Sequence, residues 1–421
     1  MVARIHPFSA SGTFTAPPSK SFAQRALIIS ALFGEKTNVL DVGNSDDVNA
    51  VIGCVNALGA YISPCENGVT VSKIHPDANK IYTFDCKESG ATLRFMLPIV
   101  GALGLNSTFT GKGRLLSRPI DELIKAMNAH GCNVERSENN IKTTGKLTGG
   151  EYVLSQNTST QFISGLMLAL STLNEDSKIT VAGEKPISGY ILMTADLLKR
   201  ANIGINIHNN IINITHFNDE KTMLENFVCE GDFSGAAPLL ALGGVTGEVT
   251  ALGLDKNSLH PDGKILDFLI EIGAEVEVAD SFIRVKKGAL RPFTANAEAC
   301  PDLIPVLAVL GAVCEGESKI YGADRLKYKE SDRLSAIINL LTTANVKCFA
   351  KDNSLHVFGV KTPMSGFFDS FSDHRIAMAA SVLAACCDGV STISDIGCVK
   401  KSYGDYFKDY IKLGGRTDVG I

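Results

Sequence analysis

The chain has 421 residues, 45% of them hydrophobic and 20% charged, which is enough apolar material for two filled cores and too much for a disordered polymer. A formal net charge of −5 with a pI near 5.9 excludes the basic stripe that would replace phosphate counterions, so no nucleic-acid partner is expected. The 11 cysteines contain no Cys-x-x-Cys pair, and no segment reaches the roughly 20 apolar residues of a membrane span, so a reduced, cytoplasmic protein with no membrane partner is expected.

Along the chain, six near-apolar helical runs open at a small polar or acidic residue: Ser19, Ser89, Ser159, Ser234, Asp302 and Ser372, at intervals of 70, 70, 75, 68 and 70. Runs such as Leu166-Met-Leu-Ala-Leu and Ile304-Pro-Val-Leu-Ala-Val-Leu are apolar on nearly every side, which predicts buried helices. A second series of helices interleaves with the first and has one wet face, as in Leu334, Ile337, Ile338 and Leu341. These end at residues able to take the left-handed conformation: Gly59, Gly131, Asn202, Gly273, Asn345 and Gly414, at intervals of 72, 71, 71, 72 and 69. A β-like stretch follows each. Six units of about 71 residues, each with a buried helix, a surface helix and strands, predict an α/β protein of two domains with three units apiece, since linear solenoids use repeats of about 20 to 50.

Charge gathers at the starts of the buried helices. Lys20 and Arg25, Gly90 and Arg94, Gln161, Asp302, and His374 with Arg375 fall near one phase of the repeat. Helix N-termini and fixed cations together favour a multiply charged anion, which Arg can grip through two parallel hydrogen bonds. Two polar runs, Lys329-Glu330-Ser331-Asp332-Arg333 and Ser372-Asp373-His374-Arg375, add proton carriers beside such cations. Each residue has a plainer alternative: Arg25 at an exposed basic edge, Asp302 as a helix cap, Glu330 and Arg333 as a surface ion pair, His374 as a structural ring. No carboxylate, His or Cys cluster has metal-site spacing, Thr110-Gly111-Lys112-Gly113 lacks the hydroxyl residue of a P-loop, and no cofactor is expected.

The motifs Pro18-Ser19-Lys20-Ser21-x3-Arg25-Ala26-Leu27, Ser45-Asp46-Asp47-Val48, Ser117-Arg118-Pro119-Ile120, Gly231-Asp232-x-Ser234, Lys329-Glu330-Ser331-Asp332-Arg333 and Asp373-His374-Arg375-x-Ala377-Met378 resemble the 5-enolpyruvylshikimate-3-phosphate synthase family, as does Lys401 near the C-terminus. The resemblance runs in order from residue 17 to 407. It implies a two-domain inside-out α/β barrel of the enolpyruvyl transferase type, with residues 1–19 plus 232–421 forming a discontinuous domain and 20–231 an inserted one. It also implies an active site in an interdomain cleft that closes on its ligands. The implied reaction joins the enolpyruvyl group of phosphoenolpyruvate to the 5-hydroxyl of shikimate 3-phosphate and releases phosphate through a tetrahedral adduct. Those two small molecules are the implied partners, and a monomer is expected.

Carried over residue by residue, the resemblance makes Asp302, Glu330 and Lys20 catalytic. It assigns phosphoenolpyruvate to Lys20, Gly90, Arg118, Gln161, Arg333, Arg375 and Lys401. Shikimate 3-phosphate is assigned to Lys20, Ser21, Arg25, Ser159, Thr160, Gln161, Ser188, Asp302, Arg325 and Lys329, with Tyr190 beside Ser188. Three local departures from the family pattern stand out: Glu88-Ser-Gly-Ala91-Thr-Leu-Arg94-Phe95, a Ser188-Gly-Tyr190 one residue short, and Arg325 where Asn is usual. Two other readings are the related transferase acting on UDP-N-acetylglucosamine, which typically carries a loop cysteine that Gly111 to Pro119 lacks, and a non-catalytic phosphate-binding protein of the same fold, which would be expected to lose its proton carriers.

Overall fold

In a computed structural model of the chain, residues 1–215 and 226–418 are described. Buried and amphipathic helices alternate: α1 (Lys20–Phe33) then α2 (Asp46–Ala57), α3 (Gly90–Ala102) then α4 (Asp121–Asn128), α5 (Thr160–Leu170) then α6 (Gly189–Arg200), α7 (Phe233–Thr246) then α8 (Ile265–Glu271), α9 (Ile304–Ala312) then α10 (Arg333–Thr343), and α11 (His374–Cys386) then α12 (Tyr406–Lys412). In α9 every residue is buried, as expected of a helix with no polar side. By contrast, Asn339 and Thr342 of α10 face out while Leu334, Ile337, Leu340 and Leu341 are buried. All six expected helix-ending residues have positive φ, from 56° at Asn345 to 102° at Gly414. The next N–H commonly reaches back five residues, as in Ala60 to Val55 (3.1 Å), Ala274 to Leu269 (2.9 Å) and Val346 to Leu341 (2.9 Å), which satisfies a terminal carbonyl.

The N-terminal markers shift at α7 and α11. α7 is capped by Asp232, which accepts from Ser234 and Gly235 N–H, and α11 by Asp373, which accepts from Arg375 N–H. Ser234 thus lies inside its helix, and Ser372 lies ahead of its own with φ +53°. In both caps the acceptor is a carboxylate, which makes the stronger, charge-assisted bond. Ser89 and Ser159 do cap α3 and α5.

A strand, a buried helix, a parallel strand, an amphipathic helix and an antiparallel hairpin make one repeat. The sheet holding Tyr82–Asp85, Ser107–Thr110, Ile141–Gly145 and Cys132–Arg136, in that spatial order, is one such unit. The chain divides into two compact units, Lys20–Cys229 and Met1–Ser19 with Glu230–Ile421, so the second crossing falls two residues ahead of Asp232. Each unit has its own core. In the discontinuous unit α7, α9 and α11 all pack on one another, and the strand Ser11–Thr15 pairs in parallel with Glu248–Leu252. In the inserted unit, Asn226–Val228 takes the corresponding place beside Lys36–Leu40. There α3 and α5 approach closely because position 165 is glycine: a Cβ would sit 2.2 Å from the Arg94 carbonyl. Among the described residues no helix is long and apolar enough to cross a membrane.

Candidate active site

In the discontinuous unit, charge converges where α9, α10 and α11 begin. Arg333, the first residue of α10, is 1% exposed, and each of its three nitrogens donates to a different carboxylate: NH1 to Asp302 at 2.8 Å, NH2 to Glu330 at 2.7 Å and Nε to Asp373 at 2.8 Å. Lys329 Nζ adds a second bond to Asp302 at 3.0 Å, and Ser331 Oγ donates to Asp373 at 3.0 Å. Asp302 precedes α9 in a short 3-10 turn, Pro301–Leu303, and receives side-chain cations there, not a helix N–H. Burial pushes its carboxyl up, but Lys329, Arg333 and Arg375 together hold it well below the ordinary carboxylate range against the opposing charge of Glu330. It is therefore ionised at neutral pH and able to accept a proton. Burial works against the charge of Arg333, yet Asp373, Glu330 and Asp302 hold its pKa above the usual arginine value.

The surface-pair and helix-cap alternatives fail here on geometry. Arg333 with Glu330 is no surface pair, because tertiary contacts from Asp302 and Asp373 enclose the guanidinium. His374 is buried with Nδ1 3.8 Å from Asp373 Oδ1. Arg375, 4% exposed, donates NH1 to the Ser234 carbonyl, and its Nε has no hydrogen-bond partner among the described residues. Lys401 is buried at the end of the 3-10 turn Ile396–Lys401. Arg325 is half-buried in another such turn, Ala323–Tyr328, which leads directly to Lys329.

In the inserted unit, Arg25 is 2% exposed, not at an edge. Its Nε donates to Thr194 Oγ1 at 2.7 Å, NH1 to the Ser21 carbonyl at 2.7 Å, and NH2 to Ser164 Oγ and the Tyr190 carbonyl, with the Phe95 ring 4.9 Å away. All of these partners are neutral. Burial pushes this guanidinium down to about 10, with Tyr190 opposing, so the cation persists at neutral pH in a site where, among the described residues, no carboxylate is bonded to it. Ser188 is the N-cap residue of α6, and its hydroxyl is buried without a partner among the described residues. The short Ser188-Gly-Tyr190 sequence thus still brings Tyr190 to Arg25.

At the start of α3, Gly90 leaves room for two guanidinium groups: a Cβ there would meet Arg118 NH1 at 2.7 Å and Arg94 NH1 at 3.3 Å. Arg94 NH1 in turn donates to Gln161 Oε1 at 2.7 Å, and Gln161 N–H donates to the cap Ser159, next to Thr160. Lys20 Nζ donates to Asp47 Oδ2 at 3.0 Å. The structure therefore brings together Gly90, Arg118 and Gln161 around Arg94, and separately Arg25, Ser21 and Tyr190. Asp302, Lys329, Glu330 and Arg333 form one cluster in the discontinuous unit, whereas Lys20 belongs to the inserted one.

Sequence reasoning missed the groups that orient these residues: Asp47, Asp373 and Ser331, together with the buried Asp262, which accepts from Ser234 Oγ. Asp47 and Asp373 each sit inside a quoted motif, and an Asp at the start of a helix facing fixed cations was the available signal. Among the described residues no group of three or more His, Cys, Asp or Glu is placed to hold a metal ion.

A family model described as EPSP synthase (3-phosphoshikimate 1-carboxyvinyltransferase) matches residues 6–410. The chain belongs to the EPSP synthase family. Relatives named 3-phosphoshikimate 1-carboxyvinyltransferase include one from Clostridium novyi (strain NT), 36% identical with 99% of this chain and 98% of that protein covered, and one from Clostridioides difficile (strain 630), 34% identical with the same coverage. Among solved structures, EPSP synthase from Acinetobacter baumannii superposes with a TM-score of 0.80 at 21% identity, covering 99% of this chain and 100% of that one. The enolpyruvyl transferase NikO from Streptomyces tendae gives 0.77 at 16% identity, covering 99% and 98%. At these identities the structural likeness speaks for the fold, so the EPSP synthase architecture agrees with the six-repeat reading.

Proposed function

We propose that this EPSP synthase family member transfers the enolpyruvyl group of phosphoenolpyruvate to the 5-hydroxyl of shikimate 3-phosphate and releases phosphate, in the shikimate route to chorismate and the aromatic amino acids. The observation that carries this reading is a family match spanning residues 6–410, coupled to an Asp302 carboxylate held ionised by Lys329 and Arg333. Asp302 takes the proton of the attacking hydroxyl, and Glu330 and Lys20 handle the proton at the methylene carbon, one group serving addition and elimination in turn. Lys20, Gly90, Arg118, Gln161, Arg333, Arg375 and Lys401 hold phosphoenolpyruvate. Two hydrogens on Arg333 remain beyond its three carboxylate bonds, since a guanidinium has five donors. Shikimate 3-phosphate takes Lys20, Ser21, Arg25, Ser159, Thr160, Gln161, Ser188, Asp302, Arg325 and Lys329. Arg25, a buried cation with neutral partners, is the natural counter-ion for one of its negative groups. A cytoplasmic, monomeric enzyme is part of the same proposal, and the eleven cysteines, all unpaired thiols, are in keeping with a reducing compartment.

Release of inorganic phosphate from phosphoenolpyruvate, with shikimate 3-phosphate and UDP-N-acetylglucosamine compared as acceptors, tests the reading. Turnover with the sugar nucleotide alone would reject it. Two variants probe the binding assignments. Gly90→Ala forces the Arg118 guanidinium to move, since 2.7 Å is closer than a Cβ contact allows. It is expected to raise the Michaelis constant for phosphoenolpyruvate by about tenfold, the scale of one charged hydrogen bond, and to leave that for shikimate 3-phosphate within about twofold. Arg325→Asn removes a proposed charge-assisted bond to the 3-phosphate worth roughly 1.5 to 3 kcal/mol, so titration should show weaker shikimate 3-phosphate and little altered phosphoenolpyruvate binding. Equal effects on both ligands would reject that placement.

A further inference from the structure

We infer that Pro238 is a positioning residue for Arg375, acting by leaving one carbonyl of α7 without its helical donor. Pro238 lies inside α7, four residues after Ser234. In an α-helix the Ser234 carbonyl would accept from the N–H of residue 238, and proline has none. A buried carbonyl needs a donor from elsewhere, and Arg375 NH1, arriving from the start of α11, supplies it.

The anchor is itself fixed on two further sides. Ser234 N–H donates to Asp232 Oδ1 at 2.8 Å, and Ser234 Oγ donates to the fully buried carboxyl of Asp262. Asp262 is held in turn, its backbone N–H meeting His260 Nδ1 at 3.2 Å. With NH1 clamped on so constrained a carbonyl, the plane of the Arg375 guanidinium is set, and its Nε, without a partner among the described residues, is a buried donor held ready beside the clamp. Pre-orienting a planar donor set lowers the cost of ordering it when an anion binds.

A stability rationale for Pro238 runs the wrong way, because proline in a helix interior is destabilising relative to alanine. Pro98 of α3 likewise has no N–H to offer the Arg94 carbonyl, and there Gly165 of α5 packs directly over it. In α7 the vacated acceptor goes to a guanidinium assigned to the substrate.

The inference rests on the proposed role of Arg375 in holding phosphoenolpyruvate. In Pro238→Ala the new amide can restore the helical bond and compete with Arg375. The variant is expected to keep or raise its melting temperature, to raise the Michaelis constant for phosphoenolpyruvate by about tenfold, and to keep that for shikimate 3-phosphate within about twofold. The same substitution placed in an Arg375→Gln enzyme should add no further rise. A crystal structure of Pro238→Ala should show the new backbone N–H at position 238 on the Ser234 carbonyl and Arg375 displaced from it. An unaltered Michaelis constant for phosphoenolpyruvate in Pro238→Ala, an equal rise in the Arg375→Gln background, or an undisplaced Arg375 would each overturn the inference. Arg375→Gln alone checks the underlying reading: a wild-type constant there removes Arg375 from the anion site and takes the inference with it. A raised constant there beside an unaltered Pro238→Ala enzyme sinks the inference alone.

Discussion

Asp302→Asn is expected to lower phosphate release at saturating substrates by at least about a hundredfold while the protein stays folded. The amide keeps the shape and can still accept a hydrogen bond from Lys329 or Arg333, but it cannot take a proton from the attacking hydroxyl. The fold survives for two reasons visible in the geometry. Asp302 makes no helix cap, and Arg333 retains Glu330 and Asp373 as counter-ions after the charge is gone. Single-turnover phosphate release together with calorimetric binding of shikimate 3-phosphate separates the outcomes, and turnover within about tenfold of wild type would show that Asp302 only places the cations around it.

Arg333→Met is expected to lower the unfolding free energy at pH 7 by about 3 to 5 kcal/mol, the cost of leaving buried charges without their partner. Methionine fills much of the volume, yet Asp373, fully buried, and Glu330 each lose their bond to the guanidinium, and Asp302 keeps its bond to Lys329 and the nearby charge of Arg375. The dependence on pH has a definite sign. In the native protein the depressed pKa of Asp302 contributes stability above the unfolded carboxylate range near pH 4, and that contribution is lost as pH falls through the lower folded value. In the variant the carboxylates repel with less compensation, so the deficit relative to wild type should shrink as pH is lowered from 7 towards 4. Urea titrations of both proteins at the two pH values measure this, and a deficit under about 1 kcal/mol at pH 7 would contradict the idea that one guanidinium holds the cluster together.

Much of the architecture was legible because local backbone demands leave marks in sequence. A left-handed helix end admits Gly or Asn almost alone, and Gly59, Asn202 and Asn345 report it whatever surrounds them. A helix without a polar face, such as α9, can only be buried. What sequence spacing left open were partnerships made across distance. Glu330 and Arg333 at i,i+3 suit a surface pair, and only the arrival of Asp373, 40 residues on, turns them into a buried cluster. From spacing alone Asp302 reads more readily as a cap, until Lys329 and Arg333 reach it from the turn before α10 and from α10 itself. The resemblance supplied roles for these residues, but not the second layer, in which Asp47, Asp373 and Asp262 orient the cations. Pro238 was written plainly within an apolar run, yet its effect appears only when Arg375, 141 residues beyond Ser234, comes back to the carbonyl.

The exchange of strands between the two ends of the chain fixes an order of events during synthesis. Ser11–Thr15 leaves the ribosome first but finds its parallel neighbour only at Glu248–Leu252, about 240 residues later, which at typical elongation rates is a wait of roughly 10 to 50 s. Lys36–Leu40 waits as well, for Asn226–Val228, but that segment emerges before the first turn of α7. A nascent chain can therefore finish the inner 210 or so residues as a folded body while its own first 19 residues still trail as an unpaired tail. Inner first and outer last is thus imposed by connectivity, and the oldest part of the polypeptide is among the last to reach its native place.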